Sequence, residues 1–99
     1  KWIALRRENA KLYNELLKDL VEIPLEAEYS KGVYHLYVIR VKYRKELMDF
    51  LKTKLIDTGL HYPIPIHLQE CYKDLGLKKM DFPITEKYSE EILSLPMFP

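Results

Sequence analysis

Two prolines, two histidines and two tyrosines fall within the twelve residues HYPIPIHLQECY, from His61 to Tyr72. Proline fixes its own φ and disfavours helical geometry in the preceding residue, so Tyr62 to Pro65 is predicted to be extended. His61 and His67 are six positions apart, a multiple of the strand and polyproline periods, which allows both to face the same side. In a straight segment they lie about 19 Å apart, too far to share a metal ion. We therefore expect a stiff recognition loop that makes separate contacts to a long polar ligand.

Size and composition predict one globular domain. Ninety-nine residues lie near the lower end of what buries a useful core, and 47% hydrophobic residues argue against disorder. The charges, 16 Lys plus Arg against 15 Asp plus Glu, are scattered, which disfavours nucleic acid and anionic membranes as partners. A single cysteine, Cys71, forms no internal disulfide, and no segment resembles a membrane helix or a signal peptide. We expect a single domain over residues 1–99 in a reducing, cytoplasmic setting.

Apolar residues at helical spacing predict three helices. They are expected over about Ile3–Leu20, over Arg44–Leu55, and from near Pro83 onward, with Asp81 as a candidate cap. The first helix is expected to bury a stripe of Tyr13, Leu16, Leu17 and Leu20. The third is expected to carry Ile84, Tyr88 and Ile92 on one side. A weaker signal predicts a short helix over His67–Leu75.

Extended segments are predicted between the helices. The β-branched and aromatic residues of Val33–Val41, apolar on both parities, indicate a central strand. A short strand is expected around Ile56–Leu60, and an edge strand over Leu93–Phe98, because Pro96 is poorly placed in a central strand. These elements together predict an α+β fold, with helices packed on a small, mostly antiparallel sheet.

Few residues predict chemistry that the chain could carry out alone. Cys71 and His67 have the spacing of a nucleophile and base on one helix, but a small buried cysteine is favoured. His35 is either a hydrogen-bonded core or interface histidine, which is favoured, or a ligand contact. Arg40 is either a solvated strand-end arginine, which is favoured, or a binder of carboxylate or phosphate. No catalytic residue and no metal ligand is predicted.

Several segments, in order along the chain, carry a resemblance to a known family. They are RRENAKLYNELL near the start, YHLYVIRV from Tyr34, LIDTGLHYPIPIHLQECYKDLG from Leu55, and DFPITEKYSEEILSLPMFP from Asp81. These segments resemble the C-terminal region of the DegT/DnrJ/StrS family of pyridoxal-phosphate-dependent sugar aminotransferases. The resemblance implies the small C-terminal domain of a fold-type-I enzyme, with a large cofactor-binding domain upstream. Both ends of the chain also look cut, because a helical pattern is already under way at Lys1.

The resemblance implies a function for the parent protein and not for the isolated chain. The parent is expected to transfer an amino group from glutamate, or a similar donor, to a nucleotide-linked keto sugar. Pyridoxal phosphate and its Schiff-base lysine are expected mainly in the missing domain, so the chain alone is expected to be inactive. The parent is also expected to be a homodimer.

The same resemblance implies substrate-binding roles for His61, Tyr62 and His67. In the family the matching loop approaches the cleft between the domains, and neutral donors suit diphosphate and hydroxyl oxygens there. Without the resemblance, these residues predict a packed turn with the tyrosine stacked on prolines. A fold does not fix a function, so a non-catalytic sensor of sugars or amines, or an assembly domain, stays as the alternative.

Overall fold

The computed structural model describes residues 1–99 and has helices around a small antiparallel sheet. The helices are α1 (Trp2–Leu17), α2 (Arg44–Thr53) and α3 (Pro83–Glu91), and the strands are β1 (Tyr37–Arg40) and β2 (Ile92–Leu95). Two short 3-10 helices, Ile66–Leu68 and Glu70–Leu75, lie between α2 and α3. This arrangement confirms the predicted α+β fold. No helix is long and apolar enough to cross a membrane.

The two strands form a two-stranded antiparallel sheet with one further bridge on each outer side. In the antiparallel register, Tyr37 lies opposite Leu95 and Arg40 opposite Ile92. One isolated bridge joins Glu22 to Arg40 on the outer side of β1, and another joins Gly59 to Ser94 on the outer side of β2. Arg40 and Ser94 are therefore paired on both sides, whereas the other residues of the two strands pair only within the sheet.

The core is small and lies on one face of this sheet. It consists of the buried residues Ala10, Tyr37, Ile39, Leu93 and Met97. Alternate residues of a strand share a face, which explains why Tyr37 and Ile39 are buried together. Only 9 of 99 residues are buried, so most of the apolar side chains remain in contact with solvent.

Aromatic residues fix α1 against the sheet. The rings of Tyr13 and Tyr37 stack with centroids 4.7 Å apart. The Tyr37 hydroxyl donates a hydrogen bond to Asn14 Oδ1 at 2.6 Å, and the Tyr13 hydroxyl donates to the Pro96 carbonyl at 2.8 Å. The buried Tyr37 and the partly buried Tyr13 thus each have a hydroxyl with a hydrogen-bond partner.

The helices differ from the sequence predictions in the faces that they bury. On α1, Ala10, Tyr13 and Leu17 pack toward the core, whereas the predicted stripe members Leu16 and Leu20 are exposed. The prediction of this buried stripe was therefore partly wrong. The face of α1 that packs on the core, at positions 10, 13 and 17, is narrower than the apolar pattern suggested.

The buried face of α3 is polar. Its buried residues are Glu86 and Ser89, whereas Ile84 is 72% exposed, and Ile92 belongs to β2. The predicted apolar side of this helix was wrong. Asp81 is not the cap either, because Phe82 occupies that position and the Asp81 carboxylate accepts a hydrogen bond from the Lys78 N–H at 2.8 Å.

The strands are shorter than predicted. Tyr34 has a φ of 48°, in the left-handed region, which prevents a strand from beginning at Val33. The predicted strand at Ile56–Leu60 is a single bridge at Gly59. The edge strand predicted over Leu93–Phe98 is present but shorter, as β2 of the two-stranded sheet, with a single bridge from Gly59 on its outer side. Pro96 lies just after β2, where it removes no ladder hydrogen bond.

Two arginines connect distant segments through ion pairs. Arg7 on α1 binds both carboxylate oxygens of Glu26, at 2.6 and 3.1 Å. Arg40 lies between Glu22 and Glu91, with 2.7 Å from its Nη2 to Glu91 Oε2. It also lies 3.7 Å above the centre of the Tyr88 ring. Arg40 is therefore neither solvated nor free for a ligand, since carboxylates of the chain itself occupy it.

Candidate functional site

The segment from His61 to His67, here called the recognition loop, connects the sheet to the first 3-10 helix. Just before it, the N–H and C=O of Gly59 pair with those of Ser94 at 3.0 and 2.9 Å. The chain bends at His61, Pro63 and Ile64, and the peptide bond between His61 and Tyr62 is cis. The predicted straight extension from Tyr62 to Pro65 is thus interrupted, although Pro65 itself has an extended ψ of 142°.

His61 is half-buried and held by β2. Its Nδ1 atom lies 2.9 Å from the Ser94 hydroxyl, and Nε2 has no hydrogen-bond partner within the chain. The Tyr62 ring meets the imidazole edge-on, with centroids 5.4 Å apart. One ring nitrogen of His61 therefore serves the fold, and the other is available to a ligand.

Tyr62 projects from the loop. It is 72% exposed, and its hydroxyl has no partner within the chain. At this exposure the ring is not packed into a turn, as the alternative prediction required, and its aromatic contact is with His61. A phenol placed in this way can donate to or accept from an oxygen of a bound molecule.

His67 anchors the far end of the loop. It is 8% exposed, and its Nε2 atom lies 2.9 Å from Glu86 Oε1 on α3. The Phe82 ring packs against it in an edge-on arrangement, with centroids 4.9 Å apart. His61, Tyr62 and His67 thus belong to one loop but not to one surface, because His67 is directed into the molecule.

Glu86 forms hydrogen bonds with the backbone near α3 as well as with His67. Its carboxylate accepts hydrogen bonds from the N–H of Met80, at 2.8 and 3.0 Å, and from the N–H of Phe82 at 3.4 Å. The Met80 N–H lowers the pKa of Glu86 most, and His67 and Phe82 act in the same direction against the opposing effect of burial. A carboxylate with so many donors remains ionised and holds the loop, the following turn and α3 together.

The other residues that the sequence singled out lie outside this arrangement. Cys71 is exposed, contrary to the favoured prediction, and its thiol lies 3.8 Å from Gln69 Oε1. No dyad with His67 forms, because Glu86 binds His67 Nε2. His35 is exposed as well, since β1 begins only after it, so the prediction of a core histidine was wrong.

Sequence reasoning missed Ser94, Glu86 and Gly59, which hold the loop in place. Ser94 had a weak signal as the lone polar residue in the apolar run ILSLP. Glu86 had none, because a glutamate in a charged helix is normally solvated. Gly59 had none either, because nothing in the sequence indicates its close contact with the His61 ring.

The recognition loop lies outside the main cavities of the chain. One of these cavities, of about 800 Å³, is lined by residues at the end of α1, the end of β1 and the start of α2, and includes none of His61, Tyr62 and His67. A ligand at the loop would therefore need a second wall.

Known proteins with similar sequences match nearly the whole length of this chain. A "Pleiotropic regulatory protein" of Geobacillus stearothermophilus is 44% identical over 103 residues, which is all of this chain and 28% of that protein. A dTDP-3-amino-3,6-dideoxy-alpha-D-galactopyranose transaminase of Aneurinibacillus thermoaerophilus is 38% identical over 95% of this chain and 26% of its own length. The chain thus spans about a quarter of the length of the relatives that it matches.

A solved structure agrees with these relatives. The S. venezuelae protein DesV, crystallised in complex with a ketimine intermediate, superimposes with a TM-score of 0.94 at 33% identity. The match covers 99% of this chain and 27% of DesV. The model of the DegT/DnrJ/EryC1/StrS aminotransferase family matches residues 1–99. Because that match covers every residue, the chain belongs to the DegT/DnrJ/EryC1/StrS aminotransferase family.

Proposed function

We propose that the protein containing this chain is a pyridoxal-phosphate-dependent aminotransferase that acts on a nucleotide-linked keto sugar, with glutamate or a similar compound as amino donor. The match of the whole chain to the aminotransferase family carries this proposal. The name of the Aneurinibacillus relative, a transaminase of a dTDP-linked amino sugar, supports the substrate class. Residues 1–99 would form a small domain that closes one side of the substrate cleft.

The recognition loop supports this role through its polar groups. Tyr62 offers an exposed hydroxyl, and His61 offers a ring nitrogen that the fold leaves unpaired. Both are neutral groups that can bind diphosphate or sugar oxygens without burying a full charge. We propose that His61 and Tyr62 contact the substrate, and that His67 contributes by holding the loop through Glu86.

Exposed apolar side chains support packing of this domain against further protein. The exposed fraction is 57% for Trp2, 63% for Leu16 and 77% for Phe98. The centroids of the Trp2 and Phe98 rings lie 5.6 Å apart. A contiguous exposed apolar patch is typical of surfaces that pack against other protein. A larger domain or a second copy of the protein would supply the wall that the recognition loop lacks.

The residues of this chain do not fit pyridoxal phosphate by themselves. All of its lysines are exposed, whereas a Schiff-base lysine needs a desolvated setting at neutral pH. Arg7 and Arg40, which could bind a phosphate, already bind carboxylates. When bound, the cofactor supplies the electron-accepting ring that carries the amino group. The lysine and the phosphate site are proposed to lie in another part of the protein.

We also propose a cytoplasmic homodimer. Cys71, the only cysteine of the chain, is exposed and forms no disulfide within the chain, which suits a reducing compartment. The exposed apolar surface offers area for a second copy in addition to a larger domain. Light scattering of the full-length protein over a dilution series tests the dimer, and a monomer at all concentrations would contradict it.

The experiment uses the full-length protein loaded with pyridoxal phosphate. With glutamate alone, we expect the absorbance of the bound cofactor to change in a single turnover and 2-oxoglutarate to form. With 2-oxoglutarate and dTDP-3-amino-3,6-dideoxy-α-D-galactopyranose, we expect glutamate to form. Failure of the first reaction would exclude glutamate as the amino donor, and failure of the second alone would remove this sugar from the substrate class. The absence of reaction with any α-amino acid would overturn the aminotransferase proposal.

A sensor is the second candidate function. The Geobacillus relative, which is the more similar of the two described above, bears the name of a regulatory protein. A sensor of this fold would bind the dTDP-linked amino sugar, measured by calorimetry, without any turnover. It would also dispense with a Schiff-base lysine, so the full-length sequence and the turnover assay together distinguish the two candidates.

A further inference from the structure

Ser94 is a buried strand hydroxyl that faces the recognition loop. It is 4% exposed, and its neighbour Leu93 points into the core. Because successive strand residues face opposite sides, the Ser94 side chain lies on the other face of the sheet. Its Oγ atom is 2.9 Å from His61 Nδ1, and its backbone pairs with Gly59 in both directions.

The His61 ring is also confined by its surroundings. A Cβ atom placed on Gly59 would lie 2.6 Å from His61 Cε1 and 3.2 Å from Nδ1, so the ring rests directly against the Gly59 backbone. The Tyr62 ring meets it at an interplanar angle of 78°. Ser94, Gly59 and Tyr62 therefore leave the imidazole little freedom to turn.

The same contact favours one position for the imidazole proton. A buried hydroxyl needs an acceptor for its hydrogen, and His61 Nδ1 is the only partner of the Ser94 hydroxyl. If the hydroxyl donates to Nδ1, the neutral ring carries its proton on Nε2. His61 then presents an N–H donor at the nitrogen that has no partner in the chain.

We propose that Ser94 is a positioning residue, which holds His61 in one orientation and in the Nε2–H tautomer so that the ring donates to an oxygen of the substrate. The inference rests on the proposed function, in which His61 contacts the nucleotide sugar. It adds a residue that never touches the substrate and acts only through His61.

Kinetics of the full-length protein test this role, with dTDP-3-amino-3,6-dideoxy-α-D-galactopyranose and 2-oxoglutarate as substrates. We expect Ser94→Ala to raise the KM for the sugar about 3- to 10-fold, the effect of one hydrogen bond, with kcat within about twofold. Ser89→Ala is the matched control, because it also removes a buried hydroxyl but one that donates to the Glu86 carbonyl. We expect this control to change neither constant beyond about twofold.

A double-mutant cycle separates this inference from the proposed function. If Ser94 acts through His61, adding Ser94→Ala to His61→Ala changes KM no further. An effect of His61→Ala without any effect of Ser94→Ala would overturn the role of Ser94. An unchanged KM in His61→Ala would instead overturn the substrate contact of His61.

The orientation of the ring provides a measurement that does not depend on activity. Long-range ¹H–¹⁵N NMR of the wild-type protein should show Nδ1 unprotonated and Nε2 protonated. Crystal structures of Ser94→Ala and of Gly59→Ala should each show the His61 ring displaced or in more than one orientation. A protonated Nδ1 in the wild type, or an unmoved ring in Ser94→Ala, would overturn the proposal.

Discussion

Glu86 and His67 form a buried pair, with 2.9 Å between Oε1 and Nε2, that ties α3 to the recognition loop. The two residues are 19 positions apart, and the charged turn between them is held by the same carboxylate through the Met80 N–H. A single side chain thus determines where the loop ends, how the turn folds and how α3 begins.

This arrangement predicts a pH-dependent contribution of Glu86 to stability. The pKa of Glu86 is lower in the folded chain than its ordinary value of 4.5, mainly because of the Met80 N–H. A carboxyl of this kind stabilises the fold above the unfolded pKa, and the contribution is lost as pH falls through the folded pKa. We expect Glu86→Gln to lower the free energy of unfolding at pH 7, measured by urea denaturation, and the difference from wild type to shrink below about pH 4.5.

Glu90→Gln is the control for this prediction. Glu90 lies on the same helix, is exposed and has no partner in an ion pair or hydrogen bond. Glu90→Gln should leave the free energy of unfolding nearly unchanged at pH 7 and at pH 3. An equal loss in Glu86→Gln at pH 7 and pH 3 would show that packing, and not the charge of Glu86, is responsible.

The pair formed by Arg7 and Glu26 gives a second prediction. The pKa of the Glu26 carboxyl is about 2, chiefly because Arg7 donates hydrogen bonds to it, with a further contribution from the Gly32 N–H. We expect Arg7→Gln to raise the pKa of Glu26 toward 4.5 but not fully, because the Gly32 contact remains. The measurement is an NMR titration of the Glu26 side-chain carbon.

Arg6→Gln is the matched control for this titration. The substitution removes the same charge one position earlier on α1, and the Arg6 side chain contacts no carboxylate of the chain. We expect the pKa of Glu26 in this variant to stay near 2. If Arg6→Gln and Arg7→Gln shift the pKa of Glu26 equally, the low pKa would result from long-range electrostatic attraction and not from the direct contact with Arg7.

The core predicts a large effect at one leucine. Leu93 is fully buried, and Leu93→Ala is expected to lower the free energy of unfolding by about 2–5 kcal/mol. Leu55→Ala is the control, since Leu55 is 95% exposed, and should stay within about 0.5 kcal/mol. The check is urea denaturation followed by circular dichroism. Similar losses in the two variants would contradict the assignment of the core to the sheet face that contains Leu93.

The helices could be predicted from the sequence because their signals are local. Periodicity placed α1 and α2 within a few residues of their observed bounds. The strand ends could not be predicted in this way, because pairing depends on partners far along the chain. Ser94 lies in a central position only because Gly59 pairs with it from the other side, and no local pattern reports that contact.

The candidate site shows the same limit. Prolines marked the recognition loop, because they constrain the backbone wherever they occur. The orientation of its side chains depends on Glu86 and Ser94, which lie 19 and 33 residues from His67 and His61. The sequence therefore predicts which residues form the loop, and tertiary contacts determine which of them face outward.

The Tyr62 hydroxyl has no hydrogen-bond partner in the chain. Because Tyr62 is 72% exposed, Tyr62→Phe should leave the free energy of unfolding within about 0.5 kcal/mol of wild type. If the hydroxyl binds the nucleotide sugar, the same variant of the full-length protein should raise the KM for that sugar about 3- to 10-fold.

Tyr29→Phe is the control for this variant, because Tyr29 is 96% exposed and lies outside the recognition loop. It should leave both the stability and KM unchanged. A KM for Tyr62→Phe equal to that of wild type would remove the hydroxyl from the substrate contacts. If Tyr62→Ala then raised KM while Tyr62→Phe did not, the ring of Tyr62 would contact the substrate by packing instead of hydrogen bonding.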